Sequence, residues 1–97
     1  RAVMAEDLRT FQLGTLGACL VLAGDADAAI TPLEHALARG GKPRHQAARA
    51  FYLGEALRAV GRADEAAAAY DRAATEAPDS EHGELAKAAR ERLGIYR

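Results

Sequence analysis

A stretch of this chain repeats itself 37 residues further on, and that self-similarity limits the fold more than any other feature. Residues 16–36 read LGACLVLAGDADAAITPLEHA, residues 53–73 read LGEALRAVGRADEAAAAYDRA, and the two align without a gap. Eight pairs are identical: Leu16/Leu53, Gly17/Gly54, Leu20/Leu57, Gly24/Gly61, Ala26/Ala63, Asp27/Asp64, Ala29/Ala66 and Ala36/Ala73. Leu33 opposite Tyr70 is a further like-for-like pair. An alanine-rich chain matches alanines by chance, but it does not easily place Leu-Gly, Gly and Asp in a common register.

Each unit reads as two helices joined by a tight turn. In the second unit Ala50, Leu53, Leu57 and Val60 recur at steps of three and four, which is one face of a helix. Gly61 ends that helix, because glycine takes the left-handed cap conformation without strain. Asp64 and Glu65 then fall in the first turn of the next helix, where carboxylates suit the exposed N–H groups. That helix carries Ala66, Tyr70, Ala73 and Ala77 on one face and stops before Pro78. The first unit runs in parallel: Leu13, Leu16, Leu20 and Ala23, then Gly24, then Asp27 leading to Ala29, Leu33, Ala36 and Leu37. Gly40, Gly41 and Pro43 mark the connection between units. About a quarter of the residues are alanine, the best helix former, and the expected class is all-α. Gly17, Gly54, Ala29, Ala66, Ala36 and Ala73 are expected where paired helices approach closely. Tyr70 is the expected anchor, and Ala67, Ala68 and Ala69 are read as helix formers only.

One local conflict arises at Thr31-Pro32-Leu33-Glu34, which has the cap, first-turn proline and capping-box glutamate of a helix start. The repeat register instead sets Pro32 inside a helix begun near Ala26, with a bend or a loosened turn there, and that reading is adopted. After Pro78 a fifth helix is expected over about 80–93, capped by Ser80, with Leu85, Ala89 and Leu93 as its apolar stripe and Gly94 as its end. Met4 and Leu8 lie in phase with the first unit, so its leading helix is expected to reach back to about Val3.

Composition bounds the chemistry. Thirteen basic residues against fourteen acidic ones leave a formal net charge of −1, with no block of either sign. Arg39, Lys42, Arg44 and Arg49 come nearest to a basic patch and read as a solvated turn, which argues against a nucleic-acid partner. The single cysteine, Cys19, excludes an internal disulfide and sits in an apolar run, where a lone cysteine acts as a small buried hydrophobe. The longest apolar run, residues 18–23, is too short to cross a bilayer. The first ten residues lack the apolar segment of a signal peptide, so a cytoplasmic setting is expected. His35, His45 and His82 show no ligand spacing, and no nucleophile motif or phosphate loop is present. No metal, cofactor or catalytic residue is therefore expected.

The residues also resemble a known family. Leu13-x-x-Leu16-Gly17-x-x-Leu20, then Ala29-x-x-x-Leu33 and Ala36, is similar to the tetratricopeptide repeat (TPR). So is Ala50-x-x-Leu53-Gly54-x-x-Leu57, then Ala66-x-x-x-Tyr70, Ala73 and Pro78. Leu13 and Ala50 stand where the family has tryptophan, and the 37-residue period exceeds the usual repeat by about three residues, assigned to the connection over 40–46. A Sel1-like repeat has a similar length but fits the Leu-Gly and closing proline less well. The resemblance implies a right-handed helical-hairpin solenoid. It would be a single domain over 1–97, with repeats at about 10–43 and 47–78 and a C-terminal capping helix. It implies a non-catalytic interaction or scaffold module that takes a partner peptide or protein in a concave groove. That groove would be lined by Phe11, Gly14, Ala18, Val21 and Leu22 of the first unit and Ala48, Phe51, Tyr52, Glu55 and Arg58 of the second. Gly14 and Ala18 stand where a carboxylate clamp would need polar groups, so an apolar segment is the expected ligand. The alternative is an oligomerisation or regulatory appendage of a larger enzyme or transcription regulator. Two units are few for stability, so self-association or excerption from a longer array is expected.

Overall fold

The computed structural model describes residues 7–95, with the side chain of Ile95 left aside. Within that span the chain forms five helices: α1 (Leu8–Leu22), α2 (Ala26–Arg39), α3 (Pro43–Ala59), α4 (Ala63–Glu76) and α5 (Glu81–Ile95). Among the described residues there is no strand. Each helix packs on the next. The odd helices α1, α3 and α5 also approach one another in sequence, whereas the backbones of α2 and α4 stay apart. The odd helices thus form a continuous layer, with α2 and α4 laid against it, over 47 × 27 × 18 Å.

The turns are built twice from the same hydrogen bonds. After α1, Gly24 N–H donates to Val21 O at 3.0 Å and Asp25 N–H to Leu20 O at 2.8 Å. After α3, Gly61 N–H donates to Arg58 O at 3.0 Å and Arg62 N–H to Leu57 O at 2.9 Å. This is the Schellman closure, and it needs a left-handed residue in the middle. Gly24 and Gly61 supply it at φ of 87° and 86°.

Helix starts follow their caps. Asp7 caps α1 by accepting the Thr10 N–H at 2.9 Å, so α1 opens at Leu8; the expected extension to Val3 and Met4 lies outside the described residues. Pro43 is the first residue of α3, a place where its missing N–H costs nothing. The connection is therefore shorter than expected, and four residues of the 40–46 segment are helical. Ser80 Oγ accepts the Gly83 N–H at 3.0 Å and caps α5. α2 runs unbroken through Pro32, as the repeat register requires. Buried Ile30, Leu33 and Leu37 on that helix, at about 1.5–3 kcal/mol each, outweigh the roughly 3 kcal/mol of an interior proline.

In the core, a glycine notch closes each hairpin. Leu33 of α2 fills the space a side chain on Gly17 of α1 would occupy, and Tyr70 of α4 does the same at Gly54 of α3. Leu33 and Tyr70 are the largest fully buried side chains, and Ala29, Ala36, Ala66 and Ala73 are buried beside them. Four expectations need correction. Ala67 and Ala69 are buried, not merely helix-forming, because α4 has α3 on one flank and α5 on the other. Leu85 points outward at 43% exposure, and Gly83, Ala86 and Ala89 form the packed side of α5 instead. α5 also continues through Gly94 to Ile95. Cys19 is exposed, because the side of α1 that carries it faces no other described helix.

Candidate functional site

The odd-helix layer carries a small cleft of about 150 Å³ between α1 and α3. Phe11, Gly14, Thr15 and Ala18 form its α1 wall, and His45, Ala48, Arg49 and Tyr52 its α3 wall. The periods of the two helices explain the selection: 11, 14, 15 and 18 share one helical face, as do 45, 48, 49 and 52. Phe11 and His45 meet edge to face across the opening at 6.0 Å between ring centroids. Small residues in the middle let the two walls approach, and the aromatic rings stand at the rim. A second opening of about 660 Å³ lies between the N-termini of α3 and α5, and it shares His45 and Ala48 with the first. Lys42, Arg44, Ser80, Glu81 and His82 line it as well. The two run together as one groove across α1, α3 and α5.

Below the groove the side chains are tied down. Arg49 is buried at 5% exposure, and its guanidinium Nη1 donates to Gln46 Oε1 at 2.8 Å. Gln46 Nε2 donates in turn to Leu37 O at 3.0 Å, at the end of α2. Gly14 has no side chain because Arg49 fills that place. At the outer end of α1, Arg39 Nε donates to Thr10 Oγ1 at 2.7 Å and its Nη2 pairs with Asp7 Oδ2 at 2.9 Å. The Thr10 N–H and hydroxyl, then Arg39, hold the Asp7 carboxyl at about 2, below the usual range. That set closes the first hairpin and keeps the Phe11 wall in place.

Five of the residues expected in the groove line this cleft: Phe11, Gly14, Ala18, Ala48 and Tyr52. The other five are placed elsewhere. Val21 and Phe51 pack against the core. Phe51 also lies among rings, with Tyr52 at 5.3 Å, His82 at 5.8 Å and Tyr70 at 6.1 Å. Glu55 and Arg58 are brought together around the Tyr70 hydroxyl, which donates to Glu55 Oε2 at 2.5 Å and accepts from Arg58 Nε at 3.4 Å. Burial, and then the bond to Glu55, push the Tyr70 hydroxyl up to about 12. Glu55 and Arg58 thus fix an interior tyrosine from the surface. Leu22 stands clear of the cleft at 74% exposure.

Comparison with protein-family models, with characterised proteins and with solved structures finds no match for this chain. Its own geometry therefore carries the functional argument. Sequence reasoning missed Thr15, His45, Arg49 and His82 as lining residues. A signal existed for two of them, since His45 and His82 are themselves 37 residues apart. His82 sits on Tyr52 of α3 at 5.4 Å much as His45 sits on Phe11 of α1. Among the described residues no group of three His, Cys, Asp or Glu side chains is placed to hold a metal. No described helix is long and apolar enough to cross a membrane.

Proposed function

We propose that this chain is a short solenoid of two tetratricopeptide-like hairpins and a closing helix. Its odd-helix groove binds an apolar peptide segment of a partner protein and does no chemistry of its own. The observation that carries the reading is the cleft between α1 and α3. Small residues at its middle and rings at its rim suit one apolar side chain. The adjoining opening toward His82 supports an extended ligand that continues along α3. Right-handed stacking of the hairpins and the family resemblance belong to the same proposal, supported by the doubled turns and the doubled glycine notches.

A displayed library of random peptides, panned on the purified chain, tests this. The wild type is expected to enrich apolar sequences. Ala48→Glu, which sets a charge in the cleft without touching the core contacts of α3, is expected to weaken the enriched peptides at least tenfold. Failure to enrich any sequence, or equal binding of the enriched peptides to Ala48→Glu, overturns the reading.

A further inference from the structure

The second unit contains an example of what the cleft of the first unit accepts. Phe51 of α3 stands 37 residues beyond Gly14 of α1, and Tyr52 the same distance beyond Thr15. His82 of α5 corresponds in the same way to His45 of α3, and Tyr70 of α4 to Leu33 of α2. Between α3 and α5 the Phe51 ring packs on the core, 5.3 Å from Tyr52, 5.8 Å from His82 and 6.1 Å from Tyr70. Between α1 and α3 the same register places Gly14, which supplies no ring. The Arg49 side chain, whose counterpart is Ala86, closes the base of that place, and about 150 Å³ stays open beside it. Tyr52 belongs to both places, lining the cleft and also meeting Phe51 and His82. The cleft is thus continuous with the ring-filled contact of α3 and α5.

Size and lining both select a ring. A space of about 150 Å³ among apolar walls accepts a benzene ring. Phe11, His45 and Tyr52 bring aromatic edges and faces to this one, and Phe11 and His45 already meet edge to face. Aromatic pairs in such geometry gain more than the area they bury. Arg49 adds a guanidinium, held by Gln46, which favours the face of an aromatic ring. An aliphatic side chain would bury area against the same walls and gain neither of these contacts.

We propose, resting on the cleft as the peptide site, that the partner's anchoring side chain is aromatic: a phenylalanine that completes in the first unit the cluster Phe51 completes in the second. Gly14 is then the residue that makes the difference between the units. It leaves to a ligand the place that Phe51 fills from within the chain.

Capped heptapeptides of glycine, serine and alanine around one central residue test this, titrated into the isotope-labelled chain and followed by NMR. The central residue is phenylalanine, leucine or cyclohexylalanine, the last having the bulk of the ring without its π electrons. The phenylalanine peptide is expected to shift the amides of Gly14, Thr15 and Ala48 saturably. The leucine and cyclohexylalanine peptides are expected to bind roughly fivefold more weakly. Ala48→Glu, with circular dichroism confirming its helical content, is expected to remove these shifts. Leucine or cyclohexylalanine binding as tightly as phenylalanine overturns the aromatic anchor. So does a phenylalanine peptide that leaves Gly14, Thr15 and Ala48 unmoved, or one that moves them equally in Ala48→Glu. The panned library separates this failure from that of the groove itself. Enrichment of aliphatic anchors alone overturns only the aromatic anchor, whereas no enrichment removes the groove and the anchor with it.

Discussion

Replacing Gly54 by alanine adds one carbon, and the structure says what that carbon meets. A Cβ there would lie 2.6 Å from both Cδ1 and Cε1 of Tyr70 and 3.1 Å from Cζ. The ring has no room to retreat. Tyr70 has no exposed surface, and its hydroxyl is held by Glu55 at 2.5 Å and Arg58 at 3.4 Å. Overpacking of this kind costs about 1–3 kcal/mol, with a rigid ring placing it at the upper end. Alanine in a helix interior returns about 1 kcal/mol relative to glycine. The net is a loss of about 1–2 kcal/mol, which for a chain of this size lowers the melting temperature by about 4–16 °C. Thermal unfolding followed by far-UV circular dichroism measures it. Gly94→Ala is the internal reference, since nothing lies within 4 Å of a Cβ there, and α5 should gain a few tenths of a kcal/mol from the better helix former. Gly54→Ala melting at or above the wild type would refute the notch as a tight contact, and with it the account of how α3 and α4 pack.

Two more substitutions probe separate parts of the argument. Tyr70→Phe removes the bond to a half-buried carboxylate and should cost about 1–2 kcal/mol in denaturant titration at neutral pH. The folded chain also holds the Tyr70 proton more tightly than the unfolded one, its hydroxyl being raised to about 12 from 10.0. That contribution is full below pH 10 and is lost as pH climbs toward 12. Tyr70→Phe should flatten this alkaline limb, and matching slopes in the two proteins would count against a Tyr70 hydroxyl raised by burial and then by Glu55. Gly61→Ala should cost about 1–2 kcal/mol through backbone strain alone, since φ is 86° and no atom lies within 4 Å of the added carbon; a stabilised variant would mean that the turn relaxes to another form.

Much of the fold was legible because the repeat wrote it twice. Leu-Gly at 16–17 and 53–54, with Leu33 and Tyr70 at equal distance beyond, located both helix contacts before any coordinates did. Alanine was harder to read. Ala68 is exposed while Ala67 and Ala69 are buried, and a run of identical side chains has no pattern to tell them apart. Leu16 and Leu53 match in sequence but differ in burial, 50% exposed against 9%, because burial depends on a neighbour as well as on the helix itself. Phe51 was read as a groove residue from its place in the family pattern, yet α4 and α5 draw it inward among Tyr70 and His82. The site residues that escaped notice, His45 and His82, are polar residues in first turns, and no hydrophobic periodicity marks them.

Of the five described helices, α3 alone touches all four others. In a nearest-neighbour array, stability is a sum of contacts between adjoining pieces, and here most of those contacts share one partner. The buried Gln46 side chain, bonded to the last turn of α2, carries that partnership across the boundary between hairpins. With α1, α2, α4 and α5 each touching two of the others, α3 is expected to be the last to release its amides on thermal opening. A lesion in α3 removes the common partner of both hairpins, so neither persists as a folded remnant.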